Sequence, residues 1–340
     1  MDSIRLWWLD YSQLERISAA MQESFPRLKR LHFTADSIYD QVPALPDSFL
    51  GGSAPHLRSF QLKSISFPAL PKLLLSATRL VHLQLDFIPH SGYISPEAMA
   101  TALSAATSLE SLRLIVEYFQ SHPGGRRLPP PMPIVLSVLS YFRFNGAGEY
   151  LDYLMARIDA PRLSDVDISF YDQIVFATPQ FAQFISRTPK LKAIDEARIS
   201  IGDGIVGVIF SSYGYLQVTL PVAELNWQVS SLERLCARCL PPLSMLEDLY
   251  ITHDYPDWQR DWQDNSDDTL WLALLCLFPA VTNLYLCEEF AECIVPVLEE
   301  LAESRTTEVL STFSWMGSCH GMSRKALRSS FPVGRTSAKP

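Results

Sequence analysis

Residues 77–86 read ATRLVHLQLD and place Leu80, Leu83 and Leu85 in the spacing L-x-x-L-x-L. On a β-strand successive side chains point to opposite faces, so Leu83 and Leu85 share one face while His82 and Gln84 share the other. The same spacing returns at Leu28, Leu31 and Phe33, at Leu57, Phe60 and Leu62, and at Leu109, Leu112 and Leu114. Working outward, strand anchors fall at positions 4, 28, 57, 80, 109, 139, 163, 191, 246, 281 and 310. A unit of this length holds one strand, and it buries its apolar face only by stacking on its neighbours.

This periodicity is the signature of a leucine-rich repeat, and no other motif in the chain is as specific. The expected fold is α/β: an irregular horseshoe with parallel strands on the concave face and helices on the convex face. Residues 1–316 are expected to form about 11–12 such units, with a hairpin-like insertion near 196–222; residues 317–340 are a basic tail expected to be disordered. The repeat is irregular, because Ile88 and Glu117 stand where regular units carry asparagine. Ile4, Trp7 and Leu9 are read as the first strand. Leu191 and Ile194 open a later one, in which Glu196 takes the third apolar position. Leu14, Ile17, Met21 and Phe25 recur at helical spacing, so 11–25 is the first predicted helix. Ser95-Pro96-Glu97 and Thr178-Pro179 each read as a helix N-terminus. HPGGRRLPPPMP (122–133) reads as a surface connection.

Hydrophobic content of 48% and charge of 19% describe a chain with an ample core. No apolar run reaches the roughly 18–20 residues that span a bilayer, and MDSIRLWWLD lacks a secretory h-region. Six cysteines without a repeated spacing fit reduced thiols, so an intracellular setting, cytoplasmic or nuclear, is expected. Net charge is −9 and uneven: residues 1–170 hold 15 basic and 16 acidic side chains, 171–316 hold 8 and 21, and 317–340 hold 5 and none. An acidic body repels phosphate backbones, which argues against nucleic acid as a partner.

The catalytic motifs fare poorly. Gly202-x-Gly204-x-x-Gly207 matches a dinucleotide fingerprint, but that motif needs a helix opening at its glycines. IVGVIF is β-branched instead, so a hairpin around Asp203-Gly204 is expected. Cys236-x-x-Cys239 has no second ligand pair for zinc and is read as core packing. With no nucleophile elbow, phosphate loop or paired-histidine motif, no enzyme activity, cofactor or metal is expected.

What remains is the face opposite the leucines. Alternation puts Arg30, His32, Lys63, His82, Gln84, Arg113 and Arg143 on it in the first half, and Asp165, Asp167, Asp248, Tyr250 and Tyr285 in the second. This surface is expected to grade from basic to acidic and aromatic and to bind a protein partner. Trp258 and Trp262, between Asp257, Asp261 and Asp264, are a second expected anchor, for a basic segment.

FPRLKRLHF, TRLVHLQL, TSLESLRL, LPPLSMLEDLYI (240–251), PDWQ (256–259) and AVTNLYLCEEFAECIVPVLEEL (280–301) together resemble the repeat region of F-box proteins of mushroom-type fungi. The resemblance implies substrate-recognition repeats of a ubiquitin-ligase receptor, whose F-box binds the Skp adaptor of a cullin-RING ligase. Only 27 residues precede Leu28, too few for a strand, a helix and an F-box, so the adaptor is an expected partner only if an F-box lies upstream. The chain begins on a repeat strand with no cap, so a piece of a longer protein or a truncated gene model is expected. A stand-alone repeat scaffold unrelated to ubiquitin is the alternative, and a nucleotide-binding enzyme using Gly202–Gly207 ranks third.

Overall fold

The computed structural model describes residues 2–36, 44–116, 133–171, 178–192, 194–202, 204–240, 243, 245–253, 267–304 and 312–316. The chain divides into two compact units, Met1–Lys192 with Tyr213–Val218, and Ala193–Ser212 with Thr219–Pro340. The architecture is mixed α/β, with strands that are mostly parallel.

The first unit runs β1 (Ser3–Leu9), α1 (Tyr11–Ala20), β2 (Arg30–Ala35), β3 (Ser59–Lys63), α2 (Leu70–Ser76), β4 (His82–Ile88), α3 (Pro96–Leu103) and β5 (Ser111–Val116). It continues through β6 (Ile134–Val135), β7 (Tyr141–Gly146), α4 (Gly148–Met155), β8 (Ile158–Asp159), β9 (Asp165–Phe170), α5 (Pro179–Arg187) and α6 (Pro189–Lys192). Strands β1, β2, β3, β4, β5, β7 and β9 pair in parallel in that order, while β6 and β8 pair separately. Leu31, Phe60, Leu83, Leu112, Phe142 and Val166 are register partners, and so are Phe33, Leu62, Leu85, Leu114, Phe144 and Ile168. All twelve are buried. Each such side chain contributes roughly 1.5–3 kcal/mol by leaving water, which makes this wall the main source of cohesion. The first leucine of each motif is buried as well, at Leu28, Leu57, Leu80, Leu109, Leu139 and Leu163.

One backbone device recurs at the starts of β3, β4, β5, β7 and β9. The carbonyl of the residue after the first leucine accepts from two amides of the next strand: Lys29 from Arg58 and Ser59, Arg58 from Val81 and His82, Val81 from Glu110 and Ser111. Glu110 and Ser140 repeat it toward Tyr141 and Asp165. Helices α2 to α5 pack in series, and α4 stacks Tyr150 on Phe144 at 5.9 Å, on the leucine face.

The first strand departs from the expected register. Ile4 pairs with Leu31 and Leu6 with Phe33, so Ile4 takes the position assigned to Trp7 and Leu6 the one assigned to Leu9. Trp7 instead lies half-exposed, its ring edge-on to His32 at 5.5 Å. A bulge between Leu6 and Leu9 absorbs the shift, with Trp8 at φ 59°. Ser64 (58°) and Phe87 (52°) take the same left-handed conformation two residues after Leu62 and Leu85, so this conformation is a recurring strand exit, with a second register shift at Phe87. The Ser95 cap expected from the sequence is present, and Asp10 supplies another that the sequence reading did not name. Asp10 forms a capping box with Gln13, and Ser95 accepts from the Ala98 amide at 3.2 Å. Thr178 makes no such bond; Asp152 of the preceding helix caps α5 instead, accepting from Gln180 N at 2.8 Å and Phe181 N at 3.1 Å.

The second unit runs β10 (Ile194–Gly202), β11 (Ile205–Ser212), β12 (Tyr215–Pro221, completed from Thr219), α7 (Leu225–Cys239), β13 (Asp248–His253), α8 (Asp268–Leu275), β14 (Asn283–Cys287), α9 (Ala291–Ser304) and β15 (Thr312–Met316). β10 is antiparallel to β11 and parallel to β13, followed by β14 and β15. The expected hairpin therefore stands, with Gly202 opposite Ile205 and Gly204 at φ 71°. Buried Gln228 of α7 ties it down, its Nε2 donating to Gly202 O at 2.9 Å and Val222 O at 2.5 Å. The register again corrects the reading: Ala197 and Ile199 pair with Leu249 and Ile251, so the motif is Ile194-x-x-Ala197-x-Ile199 and Glu196 lies on the opposite face. The loop 122–132 and the tail 317–340 lie outside the described residues.

Replacing Asp152 with alanine leaves two amides of α5 without their acceptor and is expected to cost about 1 kcal/mol in denaturant unfolding. Asp152→Asn, which keeps an acceptor oxygen, is expected to recover most of that loss.

Candidate functional site: the open sheet faces

Most side chains opposite the leucines are half-buried or exposed, Thr34, Asp86 and Ile115 being buried, and in the first unit the strand register sorts them into rows. The middle row runs Arg5, His32, Gln61, Gln84, Arg113, Arg143 and Asp167. Beside it run Ser3, Arg30, Ser59, His82, Ser111, Tyr141 and Asp165, and on the other side Thr34, Lys63, Asp86, Ile115, Asn145 and Ser169. All nine residues expected here from the first half and from Asp165 and Asp167 are on this face.

Its electrostatics differ from a simple basic gradient. Asp86, which the reading passed over, is buried and accepts from Arg113 Nε at 2.8 Å and Gln84 Nε2 at 2.6 Å. Arg143 Nε pairs with Asp167 Oδ2 at 3.2 Å. Both central arginines are thus neutralised in place, and truncating Arg113 would strand a carboxylate with little access to water. Arg5 and Arg30 carry no ion pair among the described residues. With Trp7, Leu31, His32, Ser59 and Gln61 they line a depression of about 340 Å³. Lys63 Nζ sits 5.3 Å from the Phe87 ring centroid, a cation–π contact. Burial lowers the His32 pKa, the Arg5 charge lowers it further, and Asp86 partly opposes both.

At the far side of this row, burial and then the Asp167 charge raise the Asp165 carboxyl above its ordinary value. Tyr215 donates to Gln217 beside it. Its phenol is raised by burial, then by Asp167, Asp165 and Tyr141.

The open face of the second unit carries Glu196 and Arg198 opposite Asp248 and Tyr250, and these opposite Asn283 and Tyr285. Tyr250 and Tyr285 stack at 4.3 Å with planes 7° apart, and the Arg198 guanidinium lies 5.2 Å over Tyr250. Burial, then Tyr285, Glu196 and Asp248, push the Tyr250 phenol up to about 12, so it stays a neutral donor throughout the physiological range. Asn283 Nδ2 donates to Asp248 Oδ1 at 2.9 Å. Trp258 and Trp262 lie outside the described residues.

Arg5, Trp7, Gln61, Asp86, Tyr141 and Arg198 were missed as members of these faces. Period-two alternation would have found Asp86 from Gln84 and Tyr141 from Arg143; Arg5, Trp7 and Arg198 required the corrected registers. The glycines at 202, 204 and 207 belong to the β10–β11 hairpin, where Gly207 pairs with Ser200, and no helix opens there. Cys236 is buried on α7. Among the described residues no cluster of three histidine, cysteine or acidic side chains is placed to hold a metal, and no helix is long and apolar enough to cross a membrane. No known family model matches the chain, and no curated protein matches it.

The raised carboxyl carries a sign. Its ionised form is disfavoured by folding, so Asp165 costs stability above its folded pKa, and the cost disappears as pH falls below the ordinary 3.8. Asp165→Asn is expected to be more stable than the parent at pH 7, with the advantage vanishing in acid; a pH series of denaturation midpoints measures it.

Proposed function

We propose that both units are leucine-rich-repeat arrays and that their open sheet faces hold a protein partner. The supporting observation is the pair of polar rows through Arg5–Asp167 and Ser3–Asp165 on the first unit, held in register by strands whose other face is a buried wall of leucine, phenylalanine, valine and isoleucine. Side chains on such a sheet cannot drift independently, so the surface is preorganised, and preorganisation lowers the ordering cost of association. Tyr141, Tyr250 and Tyr285 supply rigid amphipathic area of the kind that dominates protein interfaces.

The repeat sequences resemble those of fungal F-box proteins, and the proposed role is substrate recognition for a ubiquitin ligase. Recruitment of the Skp adaptor belongs to an F-box in the same polypeptide. The reading frame upstream of Met1 tests this part: an in-frame F-box supports it, and non-coding sequence contradicts it.

The binding face is tested by proximity labelling with the chain as bait. Tyr141→Ala and Tyr285→Ala are expected to lose partners that the parent and the helix-face variant Lys72→Glu retain. Retention of every partner by both tyrosine variants rules the open faces out.

A further inference from the structure

The middle arginines of the first open face are paired with Asp86 and Asp167, whereas Arg5 and Arg30, at its β1 side, are exposed and have no carboxylate among the described residues. The chain carries −9 overall, so two unneutralised cations beside one depression are a local exception to its charge. We infer that the depression across β1, β2 and β3 binds an extended acidic segment of a protein partner, one carboxylate on Arg5 and a second, two residues along, on Arg30.

The spacing fits this occupant. Arg5 lies opposite His32, and Arg30 is two residues before His32 on the same strand, so the arginines are diagonal neighbours. With strands about 4.8 Å apart and a two-residue rise of about 6.6 Å, their backbones are roughly 8 Å apart. Carboxylates at i and i+2 of an extended peptide lie about 6.6 Å apart on one side, a gap that two long guanidinium side chains close easily. Arginine also grips a carboxylate through two parallel N–H bonds, which a surface lysine cannot do. Trp7, half-exposed and edge-on to His32, offers an apolar wall to the residue between the acids, and Gln61 offers an amide to the peptide backbone. A nucleic acid backbone fits less well, because a depression of about 340 Å³ takes side chains rather than a polyanionic strand.

The inference rests on the partner-binding reading and names the chemistry of that partner. The probe is a fluorescein-labelled heptapeptide alternating glutamate and valine, titrated by anisotropy, with lysine and glutamine versions and an oligothymidylate as comparisons. The glutamate peptide is expected to bind the parent and Arg16→Glu, a charge reversal on the exposed face of α1, equally well. It is expected to bind Arg5→Glu and Arg30→Glu at least about tenfold more weakly. Binding is expected to weaken as salt shortens the screening length from about 30 Å to about 8 Å. Circular dichroism checks the variants; where a reversal disturbs the fold, Arg5→Gln and Arg30→Gln replace it and are expected to weaken binding in the same direction. No binding of the glutamate peptide at low salt overturns the inference, as do equal affinity of the glutamine variants or tighter binding of the oligothymidylate. If the peptide fails while Tyr141→Ala and Tyr285→Ala still lose partners, this inference falls and the partner-binding reading stands.

Discussion

A single carbonyl shared by two amides starts each strand pairing along most of the first unit, at Asp2, Lys29, Arg58, Val81, Glu110 and Ser140. Glu247 repeats it in the second unit toward Thr282 and Asn283. The sharing residue immediately follows the buried first leucine of its motif wherever that leucine is described, so side-chain burial and backbone pairing enforce the same register. A slip of one residue would send every leucine to the open face and every arginine into the core. The arrangement of polar groups on the open faces is therefore a consequence of apolar packing on the other side.

That coupling explains why residues of one type have different fates. Arg113 and Arg143 fall at register positions with an aspartate diagonally or directly across, and their charge is used within the sheet. Arg5 and Arg30 fall among serine, glutamine and histidine, so their charge faces outward. In the second unit the same logic stacks Tyr250 on Tyr285, because Leu249 and Leu284 hold their strands in step. Composition alone treats these arginines and tyrosines as equivalent; their neighbours decide what each can do.

The strands with a full L-x-x-L-x-L motif were legible because burial and alternation agree in one short window. The first strand was not: Trp7 and Trp8 look like core residues, and only the bulge at Trp8 reveals that Leu6 fills the inner position. Ala197, too small to stand out as an anchor, hid the register of β10 behind Glu196. The α5 cap was misread for a different reason. Thr178 lies at the expected local position, but Asp152 reaches the amides from 28 residues away, and no local pattern encodes that contact. The Arg113–Asp86 pair is similarly a product of strand neighbours 27 positions apart.

Disulfide trapping measures the register directly. Gln61 and Gln84 are cross-strand partners on the open face, at a separation a disulfide spans, whereas Gln61 and Ser111 are two strands apart and roughly 10 Å or more distant. Under mild oxidation, peptide mapping by mass spectrometry should find Gln61→Cys joined to Gln84→Cys and no link between Gln61→Cys and Ser111→Cys. A missing first link together with an efficient second would contradict the register and, with it, the polar rows on which the proposed function rests.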